Sequence, residues 1–518
     1  MLSDLLEQEE RRQQERAAQL RALETSEPEI IIDNLRREDD YRLPDEGTSF
    51  VLQGVRFSDT EWLDEAALRN VAGRYIGLEI DFGDLNALAD EINALYDERG
   101  IVTARALIPP QEIREGIVSI LLVEGRLGEL SIGDFAYTQR DFLSGRLELP
   151  EPGELLDVIR LQSSLARFNS LYELDLVAGL EPGKEFGHSN VTIVPREHPR
   201  LSVASFADNV GTETTGRERL GVTVTRRGLL GRDDRLFGYV AGARSSVSGL
   251  VSYNLPVNRS GGRFEASVSS NDIEVSRGPF RALDIEGRSY IARTSYRHPM
   301  MRRAGWQVDA IAHASYTESR TDYLDGLSLS RHTLLKAGGG ARAEHTGARH
   351  RLAMTQNVAL VEADEHRTSL EDDYVLWDGT FTWVRYYGAP VYTVLAASWR
   401  LASDRELPSP DLYQAGGLYS VRGYEQNVIS GARGYSASFE LHWPASQKLA
   451  PYIFVDHGAV RAVSPRSEDI TGVGAGLSWK IARRFDVEID LARAATRIEP
   501  DQDRTQFHFR LNHVFDRL

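Results

Sequence analysis

Two short stretches near the C-terminal end combine an arginine and a carboxylate in settings that favour a specific ion pair. The first, Ser420–Tyr424, reads SVRGY and lies in a long turn-rich segment, residues 402–433, between two strand-like runs. The second, Phe454–Gly458, reads FVDHG and lies in a run that alternates like a β-strand. A planar guanidinium can bind a carboxylate through two parallel hydrogen bonds. The pattern therefore predicts that Arg422, on a loop tip, reaches Asp456, on a strand.

Alternation along the second stretch predicts which way its carboxylate points. Within residues 451–460, Phe454, Asp456 and Gly458 share one face, and the opposite face is mainly apolar. Successive side chains of a strand point to opposite faces of the sheet. If the apolar face is the outer one, Asp456 points into the interior of a closed sheet.

The residues that flank the arginine suit a close approach of loop and strand. Gly423 allows a tight turn between Val421 and Tyr424, and Gly458 leaves room where a loop must approach the strand. Taken alone, the loop stretch is more typical of an exposed turn, and Asp456 would then be one more interior acid. The wider architecture favours the ion pair.

Composition limits the classes of protein to consider. The 518 residues are too many for one ordinary domain, and the formal net charge of −17 argues against a general nucleic-acid binder. The absence of cysteine excludes disulfides, thiolate catalysis and cysteine-ligated metals. We find no apolar run long enough for a transmembrane helix. This does not exclude a transmembrane barrel, because its strands alternate apolar and polar residues and therefore have a low average hydropathy.

The first 48 residues predict a helix and a linker. Residues 1–24 read as one helix with an almost wholly polar middle, and a helix that is polar nearly all round does not pack a dry core. It is either a solvated helix or a plug inside a water-filled pore, since its length of roughly 30 Å matches a bilayer's hydrocarbon core. Residues 25–48 are rich in acids and contain two prolines, so we predict a linker that threads or spans rather than folds.

Residues 49–125 predict a compact unit in the order strand, helix, helix, strand, strand. We expect the first strand at 50–57, the first helix from about Glu61 and the second helix up to Gly100. The other two strands follow at 101–106 and 116–124. The first helix would be capped by one of residues 58–60. The second carries Leu85, Leu88, Ile92 and Leu95 at the spacing of one buried stripe. Gly100 is a typical residue after a helix C-terminus.

Residues 126–200 repeat this order. We expect a strand at 130–133, helices near 138–146 and 153–168, and strands at 173–177 and 190–194. A repeat of about 75 residues indicates two copies of one structural unit.

The tandem units resemble POTRA domains. The stretch 100–126, which reads GIVTARALIPPQEIREGIVSILLVEGR, is similar to the first POTRA domain of two-partner secretion transporters (TpsB, the hemolysin-activator type), and so is the boundary DNVG at 208–211. The resemblance covers essentially the whole chain. It implies that Val421, Arg422, Gly423 and Tyr424 form the loop-tip motif of the family. It also implies that Phe454, Asp456 and Gly458 form the partner motif on a strand.

From residue 201 onward the chain predicts a 16-stranded barrel. Strand-like runs recur between turn-rich connections, and 318 residues at about 20 per strand and connection give about 16 strands. In 435–443, 473–481 and 485–491, apolar residues alternate with polar, charged or small ones. Apolar-out and polar-in suits lipid outside and water inside, whereas a soluble antiparallel sandwich would turn the apolar faces inward. The run 507–515 resembles the C-terminal assembly signal of outer-membrane barrels.

Inward-facing acids predict an electronegative wall inside the barrel. Besides Asp456, these are Glu440, Asp486, Glu488 and Asp490. Arg11, Arg12 and Arg16 of the N-terminal helix could complement this wall, or the charges could simply keep the pore wet. The acids are thus candidate pore residues rather than a catalytic group.

We find no pattern that indicates an enzyme, a metal site or a cofactor. Glu344, His345 and His350 lack a consistent metal-ligand spacing, and His366 stands alone. The glycines at 338–340 are not followed by the lysine and hydroxyl residue of a phosphate loop. We therefore expect no cofactor and no catalytic residue.

The fold class that these observations predict is two α+β POTRA repeats followed by an all-β transmembrane barrel of 16 strands, with an N-terminal plug helix. The predicted domains are a plug helix (1–24), a linker (25–48), two POTRA domains (49–125 and 126–200) and the barrel (201–518). Residues 402–433 would form a long lid loop that folds into the lumen. The sequence lacks a signal peptide, so for an exported barrel we expect it to be the mature chain with a start Met added.

The resemblance implies an outer-membrane pore of a Gram-negative bacterium that works as a monomer with its POTRA domains in the periplasm. These domains would recognise an unfolded exoprotein client (TpsA-like), which then crosses the lipid bilayer through the barrel. Two alternatives stay open. One is a factor of the same superfamily that inserts other barrels into the membrane; the other is a soluble periplasmic binding protein.

Overall fold

The protein consists of two compact units, one within residues 25–198 and one within residues 199–518. The computed structural model describes residues 30–32, 43, 49–324, 326–365, 370–388, 390–461, 467–482, 484–498 and 502–515. The predicted plug helix, with Arg11, Arg12 and Arg16, lies outside the described residues, as do His366 and most of the predicted linker.

Two α/β domains of the same topology form the N-terminal unit. Its elements, in chain order, are β1 (Ile30–Ile32), β2 (Phe50–Val51), β3 (Gly54–Phe57), α1 (Glu65–Gly73), β4 (Glu79–Ile80), α2 (Phe82–Glu98), β5 (Arg105–Leu107), β6 (Ile117–Val123), β7 (Arg126–Ile132), a 3₁₀ turn (Arg140–Leu143), α3 (Val158–Leu171), β8 (Asp175–Pro182) and β9 (His188–Arg196). In the first domain β6 pairs parallel with β3 and antiparallel with β5. In the second, β9 pairs parallel with β7 and antiparallel with β8.

Helix α2 builds the core of the first domain. It begins with a capping box between Asp81 and Asp84, which satisfies two backbone donors at the helix start. Leu85, Leu88 and Ile92 are fully buried against the sheet, as their spacing predicts.

The first domain departs from the sequence prediction at two places. Helix α1 begins at Glu65, with Asp64 as its N-cap, rather than near Glu61. The reason is that Glu124 binds the backbone N–H groups of Glu61 and Trp62 and so holds this segment outside the helix. The strand predicted at 101–106 begins only at Arg105, because a turn at 102–103 follows the end of α2.

The second domain also differs in detail. The helix predicted near 138–146 is only the 3₁₀ turn Arg140–Leu143. Helix α3 starts at Val158 rather than 153, because Asp157 accepts a bond from the N–H of Arg160 and caps it there. Strand β1, which lies inside the predicted linker, pairs parallel with β8. Three residues of that segment therefore belong to the sheet of the second domain.

Glu124 provides a test of how the first domain is held together. Its carboxylate accepts hydrogen bonds from the N–H groups of Glu61 and Trp62 at 2.8 and 3.2 Å and from the Tyr96 hydroxyl at 3.1 Å. We expect Glu124→Ala to lower the free energy of unfolding of a 25–198 fragment by about 1–3 kcal/mol, because these donors lose their partner. Urea titration followed by Trp62 fluorescence measures it.

Glu129→Ala is the matched control for this experiment, since it removes an exposed glutamate from β7. A loss of stability of equal size in both variants would contradict the assigned role of Glu124.

The C-terminal unit is a closed antiparallel barrel. Its strands are β10 (Leu201–Asp208), β11 (Arg219–Arg227), β12 (Arg235–Ala243), β13 (Ser246–Pro256), β14 (Arg263–Glu274), β15 (Glu286–Arg303), β16 (Trp306–Tyr323), β17 (Leu327–Gly347), β18 (His350–Glu365), β19 (Leu370–Tyr386), β20 (Tyr392–Ala402), β23 (Arg433–His442), β24 (Leu449–Arg461), β25 (Ser467–Ala482), β26 (Phe485–Ala494) and β27 (Thr505–Val514). Among the described residues these are 16 strands, which confirms the predicted number. The first and last strands, β10 and β27, pair and close the barrel.

The two faces of the barrel wall follow the alternation of the sequence. On β24, Ile453 and Val455 are 47% and 49% exposed on the outer face, whereas Phe454 is 3% exposed on the inner face. An apolar outer surface with polar and charged residues inside is the arrangement of a membrane barrel. In the described part of the chain, no helix is long and apolar enough to cross a membrane.

Candidate functional site: the arginine lock of the lid loop

The segment between β20 and β23, residues 403–432, folds into the lumen of the barrel, and we call it the lid loop. It contains a 3₁₀ turn (Ser409–Asp411) and a small hairpin of β21 (Tyr413–Ala415) and β22 (Ile429–Gly431). Val421 and Tyr424, near its tip, are fully buried in an apolar cluster with residues of the barrel wall. The tip is therefore part of the packed interior of the barrel.

Arg422 binds Asp456 through two hydrogen bonds from its side chain and one from its backbone. Its Nε donates to Oδ2 at 2.7 Å and its Nη2 to Oδ1 at 2.8 Å. The backbone N–H of Arg422 also donates to Oδ2, at 3.0 Å. Both side chains are buried, with Arg422 3% and Asp456 0% exposed. The structure thus brings together the two residues whose pairing the sequence predicts.

Two further carboxylates converge on the same guanidinium. Glu440 of β23 lies 2.8 Å from Nη2, and Asp490 of β26 lies 3.3 Å from Nη1. We call Arg422, Asp456, Glu440 and Asp490 the arginine lock. Burial alone would lower the pKa of Arg422, but the three carboxylates outweigh it and raise the pKa above its usual range. The arginine therefore stays charged at any physiological pH.

Aromatic and hydroxyl side chains complete the surroundings of the guanidinium. The Arg422 guanidinium lies 3.4 Å from the centre of the Phe454 ring, a cation–π contact. Ser438 accepts from Nη2 at 3.0 Å and donates to Asp456 at 2.7 Å. The Tyr452 hydroxyl donates to Asp490 at 2.7 Å. Asp456 and Asp490 thus each have a hydroxyl donor in addition to the arginine.

Three glycines make room for the tip. Gly423 has φ +96°, and a Cβ there would lie 2.8 Å from the Arg493 carbonyl carbon. A Cβ at Gly458 would lie 2.8 Å from Val421, and one at Gly472 would collide with the Arg422 carbonyl oxygen. The sequence indicated Gly423 and Gly458 but not Gly472. The alternation of small residues on β25 was the available signal for that position.

Tyr424 fixes the other side of the tip. Its hydroxyl lies 3.0 Å from the carbonyl oxygens of both Thr471, on β25, and Thr496, just after β26. These contacts with the backbone of two separate segments fix the position of the Tyr424 ring. All four residues of the loop-tip motif therefore contribute contacts or space at the wall.

The predicted acidic wall divides into two parts. Glu440 and Asp490 belong to the arginine lock and share the guanidinium of Arg422. Asp486 accepts a bond from Asn512 at 2.9 Å, and Glu488 lies beside Arg510 in the register of β26 and β27. From the sequence, all of these acids were predicted to form one surface, because the sequence does not show where the loop tip contacts the barrel wall.

Comparison with known proteins places this architecture in a family. A family model described as haemolysin secretion/activation protein ShlB/FhaC/HecB matches residues 187–479, more than half of the chain. The chain belongs to this family. A second model, POTRA domain, ShlB-type, matches residues 50–125. The predicted family, the POTRA fold and the 16-stranded barrel are confirmed, whereas the predicted plug helix lies outside the described residues.

Known members of the ShlB/FhaC/HecB family are similar along most of the chain. The heme/hemopexin transporter protein HuxB of Haemophilus influenzae is 24% identical over 91% of this chain and 88% of its own length. The outer membrane transporter CdiB of Dickeya dadantii is 22% identical over 78% of this chain and 74% of its own. The solved structure of CdiB from Escherichia coli covers 98% of both chains with a TM-score of 0.66 at 19% identity. As a ShlB-type transporter, the protein lies in the outer membrane with its POTRA region in the periplasm.

The position of Gly423 allows a test of the tip geometry. We expect Gly423→Ala to displace the tip, because the new methyl group meets the backbone at Arg493 and the backbone has a left-handed φ. Arg422 then leaves its buried site, and trypsin should cleave after it at least about 10-fold faster. Limited proteolysis with mass spectrometry of the fragments measures this rate.

Gly249→Ala serves as the control for this variant, since a Cβ there meets only ordinary contacts. If both variants protect Arg422 as well as the native chain does, the tip is not held by its backbone geometry.

Proposed function

We propose that this protein recognises one exoprotein client, unfolded in the periplasm, through its POTRA domains and passes it through the barrel lumen to the cell exterior as a monomer. The family assignment supports two-partner secretion as the general activity. A barrel that closes within a single chain supports the monomer. The arginine lock is the observation that supports the proposal, since it attaches the tip of a long loop to the inner face of the barrel wall through a specific buried contact.

Strand addition is the mode of client binding that the N-terminal unit supports best. Among the described residues, β5 has one sheet neighbour, β6, so its other edge can accept a strand. In the second domain the corresponding edge, that of β8, is occupied by β1. Backbone hydrogen bonds to an exposed edge bind extended segments with little dependence on their sequence. This suits a client that arrives unfolded.

The lid loop is the element that we propose controls passage through the pore. Its tip is buried against β23, β24 and β26, so it occupies space that a client would need. The lock positions the loop in one defined place. A change at the lock should therefore affect secretion even though the POTRA domains are untouched.

A charge reversal tests the direct pair. We expect Arg422→Asp to reduce secretion by at least about 10-fold, because it adds a fourth carboxylate where three already converge. Adding Asp456→Arg should restore part of the activity, because the guanidinium then introduced on β24 faces the carboxylate at position 422 together with Glu440 and Asp490. Client in the culture medium is measured by immunoblot.

The heat-modifiable gel mobility of each barrel shows that the variants fold and insert. A double variant that secretes no better than Arg422→Asp alone would exclude the direct pair as the functional contact.

The client can be identified by co-expression. We would produce this protein, with a signal peptide, together with a large exported protein encoded beside it, if the genome has one. We expect that neighbour in the medium only when the transporter is present. If it stays in the periplasm while the barrel is properly inserted, the neighbour is not the client, and insertion of other barrels becomes the better assignment.

A further inference from the structure

The lid loop has a second attachment to the barrel wall, in the part of the loop that precedes the tip. Asp411, at the end of the 3₁₀ turn, is 1% exposed. Its carboxylate forms an ion pair with Lys336 of β17. The hydroxyl of Tyr374, on β19, donates to its Oδ2 at 2.6 Å. Two side chains from two separate strands thus meet at one buried carboxylate of the loop.

Arg400 of β20 fixes the backbone at the same place. Its Nη1 donates to the backbone carbonyl of Asp411 at 2.9 Å, and its Nε donates to Asp378 at 2.7 Å. Asp378 orients the guanidinium toward the loop. We call Asp411, Lys336, Tyr374 and Arg400 the Asp411 clamp.

An apolar cluster shields this clamp from water. Leu407 of the loop packs against buried side chains of the wall, which are Leu334, Val361, Ala363, Tyr374, Leu376 and Ala402. Burial by itself would raise the pKa of Asp411, but Lys336 and Arg400 more than compensate, and its pKa lies below the usual value. The carboxylate is therefore charged at neutral pH, and its ion pair with Lys336 is largely buried, with Asp411 1% and Lys336 19% exposed.

The Asp411 clamp and the arginine lock lie on different strands. The clamp uses β17, β19 and β20, whereas the lock uses β23, β24 and β26. Other contacts of the loop are weaker or neutral. The ion pair between Glu425 and Arg217 at 2.7 Å is partly exposed, and exposed pairs contribute little; the Tyr413 hydroxyl bonds to Ser398 and Ser436 at 2.8 and 2.9 Å without any charge. Asp411 and Arg422 therefore provide buried ion pairs at the two ends of the segment 411–422.

We propose that the Asp411 clamp is a positioning site that holds the first limb of the lid loop in the lumen independently of the arginine lock. The proposal builds on the proposed role of the loop as the element that controls the pore. Release of the loop then requires that both sites open. Loss of either site loosens the loop without freeing it.

The cysteine-free chain allows a direct measurement of loop opening. Ala415, which lies between the two sites, is fully buried, so Ala415→Cys provides a reporter that a maleimide reaches only when the loop leaves the wall. The labelling rate of the full-length protein in detergent is compared in four backgrounds: native, Lys336→Met, Arg422→Ala and the double variant. Ala241→Cys, at a buried position on β12, reports opening of the barrel itself.

We expect Lys336→Met to raise the labelling rate of the thiol at position 415 at least about 10-fold, because Asp411 loses its ion-pair partner. Tyr374→Phe should raise it less, and Lys336→Arg, which keeps the charge, should label like the native background. In the double variant the two effects should multiply, as they do for independent sites. Lys480→Met, which removes a lysine from β25, is the matched control and should leave the rate unchanged.

Two outcomes would overturn the proposal. If labelling at position 415 is the same with and without Lys336, in both the native and the Arg422→Ala background, the lock alone holds the loop. If labelling at position 241 rises as much as labelling at position 415, Lys336 stabilises the barrel rather than the loop. Because the assay contains no client, a failure to find secretion would count against the proposed function and leave this result unaffected.

Discussion

A single buried guanidinium organises the interior of this barrel. Arg422 can be buried only because three carboxylates surround it, since an uncompensated buried charge costs several kcal/mol or more. Those carboxylates come from β23, β24 and β26, so the site exists only when these strands keep their register. The lid loop, the alternation of the strands and the glycines at the contact all serve this one requirement. Because successive side chains of a strand point to opposite faces, the residues between these inward-facing ones form the apolar exterior of the same strands.

The charges of the arginine lock also explain which side chains surround it. Phe454 offers a ring face to the cation, and hydroxyls of Ser438 and Tyr452 satisfy remaining acceptors of the acids. A half-satisfied polar network would be worse than an apolar contact. The negative charge nevertheless exceeds the positive charge of Arg422. His442, whose Nε2 lies 2.8 Å from Glu440, is a further hydrogen-bond partner of this carboxylate.

Local patterns were enough to predict much of this protein. Alternation placed Asp456 inside, and the capped, striped helix α2 was evident from its residues. What failed depended on contacts between segments far apart in the sequence. Glu124 reaches back to displace the start of α1, and β1 joins a sheet whose other strands lie far along the chain. Asp411 was missed for the same reason, because nothing near it in sequence reveals Lys336 on β17.

A loop held by buried ion pairs as well as apolar contacts differs physically from a loop held by apolar contacts alone. An apolar contact that opens to water loses its burial energy and gains nothing in return. An ion pair that opens loses its Coulomb attraction, but the guanidinium and the carboxylates recover the hydration that they gave up on burial. The directional bonds still select a single resting position, which an apolar surface would do less well. For the proposed role of the loop in controlling the pore, ion pairs at Arg422 and at Asp411 would therefore combine one defined resting position with a moderate free-energy cost of release.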